Sequence, residues 1–328
     1  MVKVSVIGGS GFIGSCLCRL LAERQMDFEI IDLKPSRSFP ERSIIADIRD
    51  PAALAAAVRG DVIVHLAAVH RDDVRDPVAY RQTNVQGTAN ICDLAAARGI
   101  RRIVFTSTVA VHGFAAPGTD ETGPIAPFND YGRTKAEAEA VIARWQAAAP
   151  DRTAIVVRPT VVFGPGNRGN VFNLLSQIAS GRFVMVGSGQ NTKSMAYVDN
   201  VAAFLLQALT AGQGHSVHIY TDGPDLRMDQ LVGLVRERLH GKAGTGLRLP
   251  YWLGLALGHL ADLVARVTGR RLPVSAIRVR KFCATTSFAS ANPLPGFVPP
   301  HDLRAGLEQV LQAEFLNPDP DREIFLTE

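Results

Sequence analysis

Apolar residues fall along the first two thirds of the chain in two alternating rhythms. Short unbroken runs at Val2–Ile7, Phe28–Ile31, Ser43–Ile45, Val62–Leu66, Ile103–Phe105 and Ile155–Val157 have the length and content of buried strands. Between them lie segments of helical period, among them Pro51–Val58, Pro77–Arg98 and Tyr131–Ala148. Asp50-Pro51 sets a capping carboxylate before a proline at the first helical position, and Gly99 ends the helix opened near Pro77. Such alternation predicts an α/β fold, a doubly wound parallel sheet covered by helices. After Gly164-Pro165-Gly166 the rhythm turns irregular. A helix at Asn170–Ser180, a strand at Phe183–Val186 and a strand at Met195–Val198 leading into a helix at Asp199–Leu209 come first. Helices at Asp229–His240, Pro250–Thr268 and His301–Ala313 follow, separated by loops rich in Gly and Pro.

The first strand runs into Gly8-Gly9-Ser10-Gly11-Phe12-Ile13-Gly14, a glycine-rich turn that opens a helix. A pyrophosphate needs this arrangement, because bare backbone must approach it and the helix N-terminus carries partial positive charge. Asp32 ends the second strand, 18 residues after Gly14, where a carboxylate accepts both ribose hydroxyls and repels a 2′-phosphate. NAD is therefore expected over NADP, although Arg37 lies close enough in sequence to greet a 2′-phosphate. Asp47-Ile48 follows the third strand; Asp47 either faces the adenine amino group or caps the next turn.

Tyr131 and Lys135 stand four apart within a helical pattern, so phenol and ammonium share one face. A neighbouring Lys⁺ favours the phenolate, which predicts a Tyr131 pKa lowered toward working pH for proton exchange with an alcohol. Upstream, Thr106-Ser107-Thr108 closes a strand at the carboxyl edge of the sheet, where ligands bind in such folds.

These elements together resemble the extended short-chain dehydrogenase/reductases. The resemblance runs in order through Gly8–Gly14, Asp32, Asp47-Ile48, His65-Leu66-Ala67-Ala68, Asn84-Val85 with Gly87-Thr88, Thr106–Gly113, Tyr131 with Lys135, Arg158-Pro159 with Gly164-Pro165-Gly166, and Met195–Ala202. It is strong to about Gly223 and weak beyond. It implies a Rossmann-type NAD domain over 1–166 and about 193–222, and a smaller, loop-rich α+β substrate domain over about 167–192 and 223–328. It further implies Tyr131 as general base and acid, Lys135 on the nicotinamide ribose, and Thr108 as the hydroxyl partner beside Ser107. The cofactor would meet Gly8, Gly11, Phe12, Ile13, Gly14, Asp32, Asp47, Ile48, Leu66, Ala67, Ala68, Asn84, Thr106 and Pro159. His65 reads equally well as a packed histidine. His112 departs from the tyrosine often found in the family, and Thr134 from the usual serine.

Within the family, Thr108 is followed by Val109-Ala110 rather than an acidic pair, which disfavours the dehydratases. The resemblance implies a nucleotide-sugar 4-epimerase acting on a UDP-hexose or UDP-N-acetylhexosamine. The alternatives are a 4-keto-6-deoxy sugar reductase, a sterol-dehydrogenase-like enzyme and a silent NAD(P)-binding regulator. Substrate contacts would come from Asn170, Val171 and Lys193, a cation for the diphosphate. Arg280 is the one member of the cluster Arg270, Arg271, Arg278, Arg280 and Lys281 assigned to substrate. A homodimer through a four-helix bundle of Pro77–Arg98 and Tyr131–Ala148 is implied, with Ala89, Ala95, Ala96, Ala136, Ala140 and Ala143 permitting close packing.

Composition narrows the partners. The chain has 328 residues, is 47% hydrophobic and 20% charged, and can bury a core without metals or disulfides. A net charge of +4, read as dispersed, suits a small anion and argues against nucleic acid. Cys16, Cys18, Cys92 and Cys283 show no metal-ligand spacing and fit a reducing compartment. The start of the chain reads directly into a strand, and no apolar run reaches the ~18 residues of a membrane span. A cytoplasmic location is expected. Tyr251–Thr268 is strongly apolar, with His259, Asp262 and Arg266 on one face; its other face is expected to cover the substrate pocket or a partner, with membrane contact the lesser alternative.

Overall fold

A computed structural model describes residues 2–70, 76–268 and 275–326. Seven strands form one sheet: β1 (Lys3–Ile7), β2 (Asp27–Asp32), β3 (Ser43–Ile45), β4 (Val62–His65), β5 (Arg102–Thr106), β6 (Thr153–Pro159) and β7 (His215–Tyr220). Every pairing is parallel, and the order is β7-β6-β5-β4-β1-β2-β3. The winding reverses between β1 and β4, which opens a crevice above their carboxyl ends.

Period-two alternation feeds two cores. Val64, Val104, Ile155 and Val157 enter one layer with α1 (Phe12–Glu23); Ile63, Ile103, Phe105 and Val156 enter the other with α2 (Pro51–Ala57). The second layer also holds a helix built from Pro77–Tyr80, a π turn at Arg81–Gln86 and Gly87–Ala97, together called α3, and α4 (Asp130–Ala147). The irregular part contains α5 (Asn170–Ala179), α6 (Val198–Ala208), α7 (Met228–His240), α8 (Tyr251–Thr268), α9 (Ala276–Cys283) and α10 (Leu303–Leu311). Of these, α6 packs on α1 in the first layer.

Three features depart from the pattern-based reading. The seventh strand was not legible, because His215, Ser216 and His218 interrupt its apolar residues; as an edge strand it is buried only toward its end. The Phe183–Val186 strand shrinks to Met185–Val186, paired with Arg248–Leu249. The third concerns α8, whose large apolar residues share the exposed side with His259 and Arg266 instead of lying opposite them. Its glycines face the body: a Cβ at Gly254 would stand 2.4 Å from Val186 Cγ1, and one at Gly258 would stand 2.8 Å from the Ala276 backbone. Asp262 also turns inward and accepts the Ala276 N–H at 3.1 Å. The bulky residues Trp252, Leu257, Leu260, Leu263 and Val264 are left exposed, so among the described residues this face covers no pocket, and of the two expected roles the one toward a partner stays open.

Candidate active site

The loop after β1 is shaped by close backbone approach. Gly8 has φ +85°, and a Cβ there would lie 2.5 Å from the Ala67 nitrogen. One at Gly14 would lie 2.5 Å from the Gly8 carbonyl oxygen. Only glycine fits either place. Leu66 and Ala67 donate their N–H groups to Ile7 O at 2.8 and 3.1 Å, which brings the Leu66–Ala68 backbone against this loop. Helix α1 starts from Gly11 with no side-chain cap, so Phe12 and Ile13 begin an uncapped N-terminus beside the glycine cradle. Asp32 Oδ2 accepts the Ser10 N–H at 3.0 Å and Oδ1 accepts the Leu33 N–H at 2.7 Å, holding the carboxylate at the same edge. Glycine cradle, open helix end and anchored carboxylate fit the pyrophosphate and adenosine ribose of NAD.

Asp47 forms a bidentate pair with Arg49, the closest contact 2.6 Å, and takes the Arg49 N–H at 2.9 Å, so of the two sequence readings the turn is the one its carboxylate makes here. That pairing holds its carboxyl below the usual range. Ile48 is buried, and its carbonyl accepts from Asn90. Asn84, in the π turn of α3, spends its amide on Val69 (2.8 and 2.9 Å) and on Thr134 Oγ1 (3.0 Å). It staples the loop after β4 to the start of α4. Thr106 Oγ1 is buried and has no hydrogen-bond partner among the described residues.

The reacting groups come from β5 and α4. Asn129 caps α4 by accepting the Gly132 N–H at 2.9 Å, setting Tyr131 in the first turn. Its phenol lies within the influence of the Thr108 side chain, and Thr108 Oγ1 accepts the Ala110 N–H at 3.1 Å. Burial pushes the phenol up to about 12, with the Thr108 side chain pulling the other way. In the chain alone, burial outweighs the lowering expected from Lys135. Lys135 Nζ lies 4.2 Å from the centroid of the Phe105 ring, and its own burial brings it down to about 7. His65 is packed: Nε2 lies 3.0 Å from Thr88 Oγ1, its ring meets Phe105, and burial keeps the imidazole neutral.

Sequence reasoning missed Glu139, four residues beyond Lys135 on the same face. Ser107 Oγ donates to Glu139 Oε1 at 2.5 Å, and Arg158 grips the same carboxylate with Nε at 2.9 Å and Nη2 at 2.6 Å. Arg158 Nη1 reaches His112 Nε2 at 3.1 Å. The i, i+4, i+8 spacing of Tyr131, Lys135 and Glu139 was the available signal. Ser107 is thus tied back into the protein, while Thr108 faces the phenol.

The residues assigned to substrate scatter more widely. Lys193 Nζ donates to Lys281 O at 2.8 Å and Thr286 Oγ1 at 3.1 Å. Val171 points into the core, Asn170 is exposed at the start of α5, and Arg280 is exposed on α9. Pro159 ends β6, buried beside Tyr220. Arg270 and Arg271 lie outside the described residues.

Comparison with known proteins identifies the family. The profile of the NAD dependent epimerase/dehydratase family matches residues 4–220. N-acetyl-alpha-D-glucosaminyl-diphospho-ditrans,octacis-undecaprenol 4-epimerase from Escherichia coli O157:H7 is 45% identical over 332 residues, covering 99% of both chains. UDP-glucose 4-epimerase from Vibrio cholerae is 29% identical and covers 95% of both. The crystal structure of UDP-glucose 4-epimerase from Thermotoga maritima with UDP-glucose superposes with a TM-score of 0.72 at 21% identity, covering 94% of this chain and 97% of that one. The chain belongs to the NAD dependent epimerase/dehydratase family, and is an NAD-using enzyme of the extended short-chain dehydrogenase/reductase type.

Proposed function

We propose that the protein is a 4-epimerase of a sugar, a hexose or N-acetylhexosamine, carried on a diphosphate. The observation that carries this reading is the pairing of the Tyr131 phenol with the Thr108 side chain at the same carboxyl edge of the parallel sheet that carries the glycine cradle. NAD, when bound, supplies a reversible hydride acceptor. Tyr131 takes the proton of the C4 hydroxyl and later returns it to the opposite epimer. The Thr108 hydroxyl holds the same sugar oxygen. A phenol pushed up to about 12 stays protonated at neutral pH, so a positive charge must favour its ionised form. Lys135, on the same helix face, is the chain's own source. Ser107, held by Glu139, keeps the end of β5 in register with α4.

The 45% identical relative is named for a sugar joined through diphosphate to undecaprenol, which supports a polyprenyl carrier over the UDP carrier expected from sequence. Lys193 is assigned to the diphosphate. No helix of the described residues is long and apolar enough to cross a membrane, and the described cysteines are free thiols; we place the enzyme on the cytoplasmic side. A homodimer through α3 and α4 is part of this reading, with Ala96 and Ala140 exposed on those helices. Ala95 lies in the chain's own core and takes no part.

The test is incubation with NAD⁺ and, separately, UDP-glucose, UDP-N-acetylglucosamine and a short-chain polyprenyl-diphospho-N-acetylglucosamine, following the anomeric protons by NMR. New C4-epimer signals without lasting NADH are expected, strongest on the polyprenyl sugar. Tyr131→Phe should lower turnover by roughly 10²–10⁴-fold while sparing NAD binding. Unchanged turnover in that variant removes Tyr131 from the mechanism.

A further inference from the structure

The exposed face of α8 carries Trp252, Leu260 and Leu263 at 69%, 57% and 57% exposure, with Leu257 and Val264 beside them. Trp252, Ala256, His259, Leu260 and Leu263 fall within one stripe of the helix. Such a run of large apolar groups in water is unfavourable unless something covers it. The inward face explains why it cannot turn round. Gly254 and Gly258 let α8 lie close against Val186 and Ala276, and no leucine would fit there.

Charge identifies the cover. Residues 241–284 hold eight Lys and Arg but one acidic residue, Asp262, a net +7 in a chain of +4; the remainder therefore carries −3. Asp262 is turned inward onto the Ala276 N–H. Arg266 is exposed on α8, and Arg278, Arg280 and Lys281 are exposed on α9 next to the apolar Ile277. The +4 read as dispersed is thus the residue of one strongly basic, apolar region. An apolar helix face bearing an exposed tryptophan, with exposed basic side chains on the same helix and its neighbour, matches an anionic phospholipid surface, which offers hydrocarbon and phosphate at adjacent depths.

The same region borders the reaction cleft. Lys281 Nζ lies 5.9 Å from the Phe128 ring, which stacks at 4.5 Å on the 80% exposed Phe114. The Lys281 carbonyl accepts from Lys193, the residue assigned to the diphosphate. Phe128 stands three residues before Tyr131.

We propose that α8 and α9 seat the protein on an anionic phospholipid bilayer, with the mouth of the cleft beside the lipid surface. The docking needs only this surface; its purpose, delivery of a lipid-carried diphospho-sugar, rests on the function proposed above. The full-length protein is floated with phosphatidylcholine vesicles and with vesicles that also contain phosphatidylglycerol. Roughly tenfold stronger partition onto the anionic vesicles is expected, weakened by 0.5 M salt. The chain has two tryptophans, and Trp145 is buried, so a blue shift of emission and quenching by brominated lipid report Trp252. The double variant Leu260→Glu/Leu263→Glu should lose about tenfold or more of vesicle binding and keep its activity on the water-soluble short-chain substrate.

Absence of flotation on both vesicle types, or binding and quenching indifferent to the double variant, overturns the proposal. So does a self-associated species by light scattering that the double variant dissolves, since the face would then join copies of the chain. Should the variant not fold, quenching of Trp252 in the wild-type protein decides alone. Vesicle binding without epimer formation leaves the docking standing and removes the activity; epimer formation without binding does the reverse.

Discussion

Lys135 shows how much the site costs the fold at the level of one residue. Its ordinary pKa of about 10.4 falls to about 7 in the folded chain because burial penalises the ammonium. Between pH 7 and about 10.4 the unfolded chain holds a proton that the folded chain has released, so stability rises with pH through that window. Below pH 7 both states are protonated and the whole penalty applies. Lys135→Met should therefore stabilise the protein by roughly 1–3 kcal/mol at pH 6, with the gain vanishing near pH 10.5, while turnover falls at least ~100-fold. Thermal unfolding at the two pH values, set beside a turnover assay, checks both halves. Equal stability at pH 6 would mean that the ammonium is well solvated in the fold.

Between elements, a buried polar tie joins the end of β5, β6 and α4 through Ser107, Arg158 and Glu139. Arg158 and Glu139 are almost wholly buried and meet in a two-pronged pair. Glu139→Gln keeps the shape and removes the countercharge, leaving Arg158 buried without it. A loss of about 3–5 kcal/mol is expected in denaturant unfolding, much of it recovered in Glu139→Leu/Arg158→Met, where neither charge remains. A single variant as stable as wild type would show that Arg158 finds another partner. The pair joins residues 19 apart on different elements, so no local pattern revealed it. By contrast, Tyr131 and Lys135 were legible because both lie on one helix, and the glycine turn because its spacing is local. Asn84 was legible as a motif residue, but its bonds to Val69 and Thr134 depend on the π turn and on α4 arriving alongside.

For the whole molecule, surface decides association. The dimer proposed through α3 and α4 predicts that Ala140→Arg, an exposed change on α4, halves the mass measured by light scattering and leaves NAD binding intact. A wild-type monomer in the same measurement ends that part of the proposal. The vesicle-docking face lies on α8 and α9, separate elements from α3 and α4, so Ala140→Arg should not alter flotation.

Local order along the chain was sufficient for the α/β class, the glycine cradle, Asp32 and the Tyr131–Lys135 pair, because each depends on short-range spacing: strand period, helix turn and strand-to-helix junction. Tertiary structure decided what depends on facing. It set β7 at the sheet edge despite its polar residues, turned Val171 into the core and brought Glu139 between Ser107 and Arg158. It also set the facing of α8. The hydrophobic pattern marks a helix with an apolar side, but which side turns inward depended on how closely the neighbour approaches; Val186 and Ala276 come near enough that only glycines fit, and the leucines were left facing outward.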